Sequence, residues 1–299
     1  MRNVEPVRLA GVLADAATPR RAQEHSIDLG ATLELVDFLG ESGVAAIVLL
    51  GATGEFVHFA LDDRRHMVNF AVKRSRVPLL VNVSHSTLDG AVELGREAAA
   101  AGAAGLLLMP PYYFRYGREA IIQFGLTFAA EVGEAAPIYL SGLDPASAVE
   151  LFATGLFAGT IESSGSLENL RLLAEQASQT PFLLLHGCER TYAAARDLGA
   201  VGILSGLASA VPELMVALDK ALREAASDRI AGFQARVIQF LDWTDQIPFP
   251  VGIKEAAKQR KLKMGAPAVP LSEAEERKLD EFRQWFRDWL PSVLRECRP

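Results

Sequence analysis

The chain has 299 residues, of which 50% are hydrophobic and 22% are charged. This balance is typical of a folded protein with a large core, and it excludes a disordered chain. The 37 acidic residues outnumber the 30 basic ones and the pI is near 5.4, which argues against nucleic acid or an anionic membrane and leaves small molecules or further copies of the chain as expected partners.

The N-terminal segment, MRNVEPVRLAGVLADAATP, contains no basic region followed by a long apolar stretch. The longest uncharged run, AAAAGAAGLLLMPPYYF, is broken by glycines and a proline pair, which is not the pattern of a membrane span. Two cysteines occur, Cys188 and Cys297, and their spacing indicates neither a disulfide framework nor a zinc site. These features predict a cytoplasmic protein that needs no metal or other cofactor.

Short apolar runs recur along most of the chain, and each is followed by a longer segment with helical periodicity. In chain order the runs are RLAGVLA, AAIVLLG, PLLVNV, GLLLMP, PIYLSG, FAGTIES, FLLLHG and VGILSG. Buried parallel strands are apolar nearly throughout, so the pattern predicts strands alternating with helices. Eight such units predict an α/β fold, the (βα)8 TIM barrel. The competing fold is an open doubly wound sheet, but the glycine fingerprint of a dinucleotide-binding sheet does not follow the first run.

After the eighth run the pattern indicates helices only. We therefore predict a barrel over residues 1–226 and a C-terminal helical region over 227–299, packed on the barrel or on a neighbouring subunit. Ser272 and Glu275 have the spacing of a capping box, which predicts a helix start. Aromatic residues in the last helix have helical spacing and are interpreted as packing residues. They are Phe282, Trp285, Phe286 and Trp289.

In a (βα)8 barrel the site lies at the carboxyl ends of the strands. After the second run comes GATGEF, in which Gly51 and Gly54 let the backbone curl. The backbone N–H groups freed by this turn, together with the Thr53 hydroxyl, suit a carboxylate or phosphate. An ordinary strand-to-helix turn would have the same composition.

Other strand ends are also polar. MPPYYF presents Tyr112 and Tyr113 on a loop stiffened by prolines, which favours a pocket or an interface over a core position. The third strand ends in Ser84 and His85, and the seventh in His186. Either imidazole could titrate near neutral pH, although a single histidine is more often a structural hydrogen bonder.

Taken together, the strand ends resemble the dihydrodipicolinate synthase and N-acetylneuraminate lyase family of class I aldolases. GVLADAATP resembles the opening strand of that family, GATGEF its GTTGE loop, and GLLLMPPYYF its fourth unit. LHGCERTYAAARDLGAVGILSGLASAVPEL is similar to the seventh and eighth units, and FPVGIKEAAKQRKLKMGAPAVPLSEAEERKL to the helical tail. The resemblance implies a homotetramer built as a dimer of dimers, a site for a 2-oxo acid in each barrel, and one tyrosine, Tyr113, lent across the dimer.

The resemblance also implies a lysine on the sixth strand that forms a Schiff base with the oxo acid. This chain reads GTIESSG there, so Ile161 stands at the lysine position, and an alkyl side chain has no lone pair to attack a carbonyl. Ser141 stands at the position of the tyrosine that relays protons, and Ala146 at that of an arginine. Ala52 replaces the first of two threonines, whereas Thr53 keeps the second.

Two lysines elsewhere in the chain are candidates to replace the missing one. Lys73 is the only lysine in residues 1–219, and it precedes the third strand, at the opposite end of the barrel. Lys254 lies in a GIKEA string beyond the eighth strand, in a helix rich in Lys and Arg, and is interpreted as a solvated or interface residue.

The sequence thus predicts a family member that binds a small carboxylate, a 2-oxo acid or a sugar acid, without lysine Schiff-base chemistry. The expected binding residues are Ala52, Thr53, Tyr112, Tyr113, Ser141, Ser163, His186 and Ser205. A second hypothesis is a lyase, hydratase or isomerase using non-covalent acid–base chemistry from Glu162, Ser163, His186 and the tyrosines. Strand alternation turns Ile161 and Ser163 inward and Glu162 outward, which weakens Glu162 as a base. A metal-dependent aldolase using His85, His186 and a carboxylate is a third hypothesis, and a non-catalytic binding protein is a fourth.

Overall fold

The computed structural model describes residues 9–21 and 26–298. Eight parallel strands pair in chain order, and the eighth pairs with the first, so the sheet closes into a barrel. The strands are β1 Gly11–Asp15, β2 Ala46–Leu49, β3 Leu79–Asn82, β4 Gly105–Leu108, β5 Ile138–Ser141, β6 Gly159–Glu162, β7 Leu183–His186 and β8 Gly202–Ser205. Seven strands fall within predicted apolar runs, and β1 extends one residue beyond its run, to Asp15. The predicted (βα)8 TIM barrel is confirmed.

A helix follows each strand, and three more helices come after the last strand. The barrel helices are α1 Leu29–Glu41, α2 Leu61–Arg74, α3 Leu88–Ala101, α4 Arg118–Val132, α5 Pro145–Phe152, α6 Leu167–Ala177, α7 Tyr192–Asp197 and α8 Pro212–Arg223. The C-terminal helices are α9 Ser227–Thr244, α10 Val251–Gln259 and α11 Glu273–Glu296. The predicted division at residue 226 falls in the link between α8 and α9.

The strands are apolar on both faces because both faces are buried. Their outward side chains pack against the helices, in the larger of two hydrophobic clusters. Their inward side chains fill the barrel lumen with a second cluster, which is Leu9, Leu13, Ala46, Val48, Leu80, Leu107, Tyr139, Ile161 and Leu185. The lumen is therefore a packed core, and a ligand has room only above it, among the loops at the carboxyl ends of the strands.

Local signals fix several helix starts. Asp28, Thr87, Asp144 and Ser166 each accept a hydrogen bond from a backbone N–H in the first turn of the helix that follows. Ser272 and Glu275 form the predicted capping box at the start of α11. These caps satisfy N–H groups that would otherwise lack partners, so the strand-to-helix loops end at defined positions.

The C-terminal helices pack together through aromatic rings. Phe240 of α9 lies against Phe282, Phe286 and Trp289 of α11, with ring centroids 5.8 to 6.1 Å apart. Phe282, Phe286 and Trp289 are buried, and the half-buried Trp285 stacks on Trp243 of α9, so the interpretation of the α11 aromatics as packing residues is confirmed. Within the described residues, no helix combines the length and the hydrophobicity needed to cross a membrane.

Candidate functional site

A cavity of about 540 Å³ opens at the carboxyl ends of the strands. Its polar lining consists of three carboxylates and three hydroxyl groups, which belong to Asp15, Glu189, Asp245, Thr53, Ser163 and Thr244. The remaining lining is glycine or apolar, and includes Ala52, Gly187, Gly206, Phe249 and Ile253. Among the described residues, no Lys, Arg or His side chain lines this cavity. Its polar character is therefore acidic and hydroxylic.

Asp15, the last residue of β1, lies at the floor of the cavity and was not predicted as a site residue. Its Oδ2 accepts a hydrogen bond from the Thr53 backbone N–H at 2.9 Å. Burial raises the pKa of Asp15 to about 6; hydrogen bonding from Thr53 opposes the rise, and the nearby Glu189 carboxylate adds to it. A carboxyl group with this pKa exchanges protons close to neutral pH, which is a property of acid–base residues.

Glu189 is the second carboxylate that the sequence analysis missed. It follows β7 in a short 3-10 helix, Glu189–Thr191, and its Oε1 accepts from the Ser205 hydroxyl at 2.8 Å and the Leu207 N–H at 3.1 Å. Ser205, a predicted binding residue, is fully buried and does not line the cavity. Its hydroxyl instead orients a residue that does.

The sixth strand presents hydrocarbon to the lumen. Ile161 is 1% exposed and packs in the lumen cluster beside Leu185 and Tyr139. The predicted alternation is confirmed, because Ile161 faces inward and Ser163 lines the cavity above it. The Ser163 hydroxyl lies 3.3 Å from the hydroxyl of Ser141, which ends β5. These two predicted residues therefore come together at one side of the cavity, with Ser141 behind Ser163.

The tyrosine pair lies on the loop between β4 and α4, away from the cavity lining. Tyr112 is half-buried, and its ring meets Phe56 edge-on with centroids 5.4 Å apart. Tyr113 is 88% exposed, and its φ of 80° holds the ring outward beside Phe114. Neither tyrosine contributes to the cavity formed by this one chain.

His186 and Glu162 do not join the site. Leu185 faces the lumen, so alternation directs His186 out of the barrel, where it is fully buried and its Nε2 pairs with the Thr191 hydroxyl at 2.8 Å. Burial lowers the pKa of His186, against the opposing effect of Glu162. Glu162 accepts hydrogen bonds from Ser164. The hypothesis that Glu162 and His186 supply acid–base chemistry at the site therefore needs correction. The carboxylates that line the cavity are those of Asp15, Glu189 and Asp245.

The C-terminal helical region completes the cavity. Thr244 and Asp245 at the end of α9, Phe249 in the following loop, and Gly252 and Ile253 at the start of α10 all line it. The sequence analysis assigned this region to packing alone. The IPFP sequence, residues 247–250, could have indicated this role. Its two prolines interrupt the helical pattern, so they predict a loop between two helices that can contact the barrel the helices pack on.

The sequence is similar to a known protein family over most of its length. A model of the Dihydrodipicolinate synthetase family matches residues 8–287. The chain belongs to that family. The 4-hydroxy-tetrahydrodipicolinate synthase of Methanoculleus marisnigri is 26% identical to this family member over 285 residues, which cover 92% of this chain and 97% of the relative.

Solved structures have the same fold. YagE of Escherichia coli K12, a prophage protein of the dihydrodipicolinic acid synthase family crystallised with pyruvate, is 25% identical with a TM-score of 0.84, covering 94% of this chain and 99% of that one. The sialic acid aldolase of Ruminococcus gnavus is 19% identical with a TM-score of 0.86, covering 95% and 99%, and this likeness shows the fold alone.

In this member of the dihydrodipicolinate synthetase family, Lys254 is buried within the chain. The interpretation of Lys254 as a solvated or interface residue is therefore wrong. Lys254 is 4% exposed, and its Nζ donates to Oε2 of Glu55, the acidic residue of the GATGE loop, residues 51–55. Burial lowers the pKa of Lys254, while the Glu55 carboxylate opposes the shift. Gly252 and Ile253 line the cavity but Lys254 does not, so its amine holds the GATGE loop against α10.

The described histidine and cysteine residues give no support to a metal centre. His85 Nδ1 lies 2.9 Å from the Thr87 hydroxyl at the start of α3, away from His186. Within residues 9–21 and 26–298, no group of three or more His, Cys, Asp or Glu side chains is arranged to hold a metal ion. Cys188 and Cys297 are both free thiols.

Proposed function

We propose that this family protein binds a small polar molecule in the barrel-mouth cavity and does not form a Schiff base from β6. The observation that carries the proposal is Ile161, which packs in the lumen where the family resemblance expects a lysine. Among the described residues no lysine lines the cavity. Without an amine at the cavity, the covalent route to an imine has no nucleophile.

The size and lining of the cavity support a small ligand. About 540 Å³ lies within the range of small-molecule sites, and a few hydroxyl and carboxylate groups project from a largely apolar wall. The sequence predicts a small carboxylate, a 2-oxo acid or sugar acid, held at Thr53. The Thr53 N–H already donates to Asp15, which argues against a ligand carboxylate at that donor.

A second candidate function is non-covalent acid–base chemistry. It is favoured by one observation, the buried Asp15 carboxyl group at the cavity floor with a pKa raised to about 6 by burial. Such a group can take a proton from, or give one to, a carbon next to a carbonyl. Glu189, held by Ser205 and the Leu207 N–H, is a fixed carboxylate at the same cavity.

Reductive trapping tests the main proposal. The protein is incubated with pyruvate and sodium borohydride, and its intact mass is measured, alongside the Lys254→Arg variant. We expect no mass increase in either protein. A pyruvyl adduct on the wild type would overturn the proposal, and its loss in Lys254→Arg would assign the imine to the buried lysine.

Solvent deuterium exchange tests the second candidate. Dihydroxyacetone, an uncharged ketone, is followed by NMR in D₂O with wild type, Asp15→Asn and Asp288→Asn. Asp288 is an exposed carboxylate on α11 and serves as the matched control. Exchange that depends on Asp15 and not on Asp288 is the expected result, and exchange no faster than without protein would eliminate this candidate.

We also propose that the protein is a homotetramer in which the β4–α4 loop forms a contact between subunits. Tyr113 and Phe114 are 88% and 66% exposed, a large apolar surface for one loop, and this supports burial by a second copy. Light scattering of the wild type is expected to give a tetramer mass. The Tyr113→Ser, Phe114→Ser double variant is expected to give smaller species, and an unchanged mass would remove this loop from the interface.

A further inference from the structure

The loop after β2 already holds a carboxylate, and that carboxylate belongs to the chain itself. A glycine-rich turn with an inward N–H group is a place where an external anion can bind. Here the Thr53 N–H donates to Asp15 Oδ2 at 2.9 Å, and both residues are buried. An acid ligand would therefore have to compete with Asp15 for this donor.

Gly51 shows how closely the loop is fitted over Asp15. A Cβ added to Gly51 would lie 1.8 Å from Asp15 Oδ1 and 2.6 Å from its Cγ, distances that no side chain tolerates. The loop can cover the carboxyl group only because residue 51 is glycine. The covered Oδ1 has no hydrogen-bond partner within the described part of the chain. The carboxyl group of Asp15, at the end of β1, is thus covered by the loop.

The charges around the cavity disfavour a second carboxylate. Besides Asp15, the ionisable lining residues of the described chain are Glu189 and Asp245, both acidic. Arg190 contacts Asp245 at 2.7 Å but does not itself line the cavity. Arg190 therefore offsets the charge of Asp245. Beside Asp15 and Glu189, a ligand carboxylate would meet like charges with no cationic side chain in the described lining, which is costly in a partly buried site.

We infer that Asp15 is a specificity-determining residue: it occupies the anion position of the GATGE loop, excludes carboxylate ligands, and leaves the cavity to uncharged or cationic small molecules. The hydroxyls of Thr53, Ser163 and Thr244 offer hydrogen bonds to the hydroxyl or amine groups of such molecules. The inference rests on the proposed small-molecule site, and it concerns the charge of the ligand, whereas the trapping experiment concerns the formation of a covalent bond.

Calorimetric titration with two matched probes tests this inference. Lactate and lactamide differ in the charge of a single group, and both are titrated into wild type, Asp15→Ala and Asp15→Asn at neutral pH. We expect Asp15→Ala to bind lactate at least about tenfold more tightly than the wild type, because the donor is freed and a like charge is removed. Asp15→Asn should show a much smaller gain, because asparagine still accepts from Thr53.

Three results would overturn the inference. They are a folded Asp15→Ala protein with no gain for lactate, an equal gain in Asp15→Asn, and a wild type that prefers lactate to lactamide. Circular dichroism and urea unfolding establish that each variant is folded, and Asp15→Ser replaces the alanine variant if that protein does not fold. A covalent pyruvate adduct would refute the proposed absence of a Schiff base, whereas these lactate results without an adduct would refute only the inference, so the two failures are distinguishable.

Discussion

Replacing Asp15 with asparagine is expected to make the protein progressively more stable, relative to the wild type, as the pH rises from about 4 to about 7. Asp15 is 4% exposed and accepts a hydrogen bond from the Thr53 N–H. Asparagine can present its side-chain oxygen to the same donor without carrying a charge. The substitution therefore removes the cost of burying an ionised carboxylate while keeping the shape of the residue.

The magnitude follows from the pKa. Burial raises the pKa of Asp15 from 3.8 to about 6 in the folded protein, so the folded state holds this proton more tightly than the unfolded chain. The resulting stabilisation is complete below about pH 4 and is lost as the pH rises through about 6. One pKa unit corresponds to about 1.4 kcal/mol. Over this pH range the free energy of unfolding of the wild type should therefore fall by about 3 kcal/mol relative to that of Asp15→Asn.

Urea unfolding at a series of pH values measures this difference directly. The readout is the change with pH in the stability difference between variant and wild type, since effects of all other titrating groups cancel. Asp288→Asn, at an exposed position on α11, is the control and should show only a small pH-dependent difference. A difference between Asp15→Asn and wild type that stays constant from about pH 4 to about pH 8 would refute the reasoning.

Three further contacts within the fold are tested by substitution. Lys254→Met should cost about 3–5 kcal/mol in urea unfolding, because it leaves the buried Glu55 carboxylate without its partner, and adding Glu55→Gln should recover part of the loss; no recovery would count against the ion pair. Ile161→Ala should cost about 2–5 kcal/mol by calorimetry, since it opens a void in the lumen cluster; a negligible cost would mean that Ile161 is not packed there. Ser272→Ala should cost about 0.5–2 kcal/mol through the lost cap of α11, and Ser272→Gly distinctly less; equal costs would contradict a capping role.

The barrel could be predicted from the sequence because buried parallel strands need apolar side chains on both faces, and this requirement leaves a readable pattern. Strands β2 to β8 lie in predicted runs, and β1 passes the end of its run by one residue, Asp15. The inward position of Ile161 follows from strand alternation, which is equally local. Features determined by neighbours in sequence were therefore accessible.

The site was less predictable because its contacts join residues far apart in the chain. Asp15 was missed although it ends β1, since its hydrogen bond to Thr53 spans 38 positions. The burial of Lys254 depends on Glu55, 199 positions away, and a basic helix in isolation reads as solvated. His186 ends a strand as the candidate residues should, but the orientation of that strand turns it outward.

The cavity is closed on one side by residues that follow the last strand, from Thr244 to Ile253. Changes in this tail could therefore retune which molecules are accepted while every strand of the barrel stays as it is. In a fold whose inner core tolerates little alteration, such a separate boundary gives evolution and protein engineers an independent place to adjust selectivity.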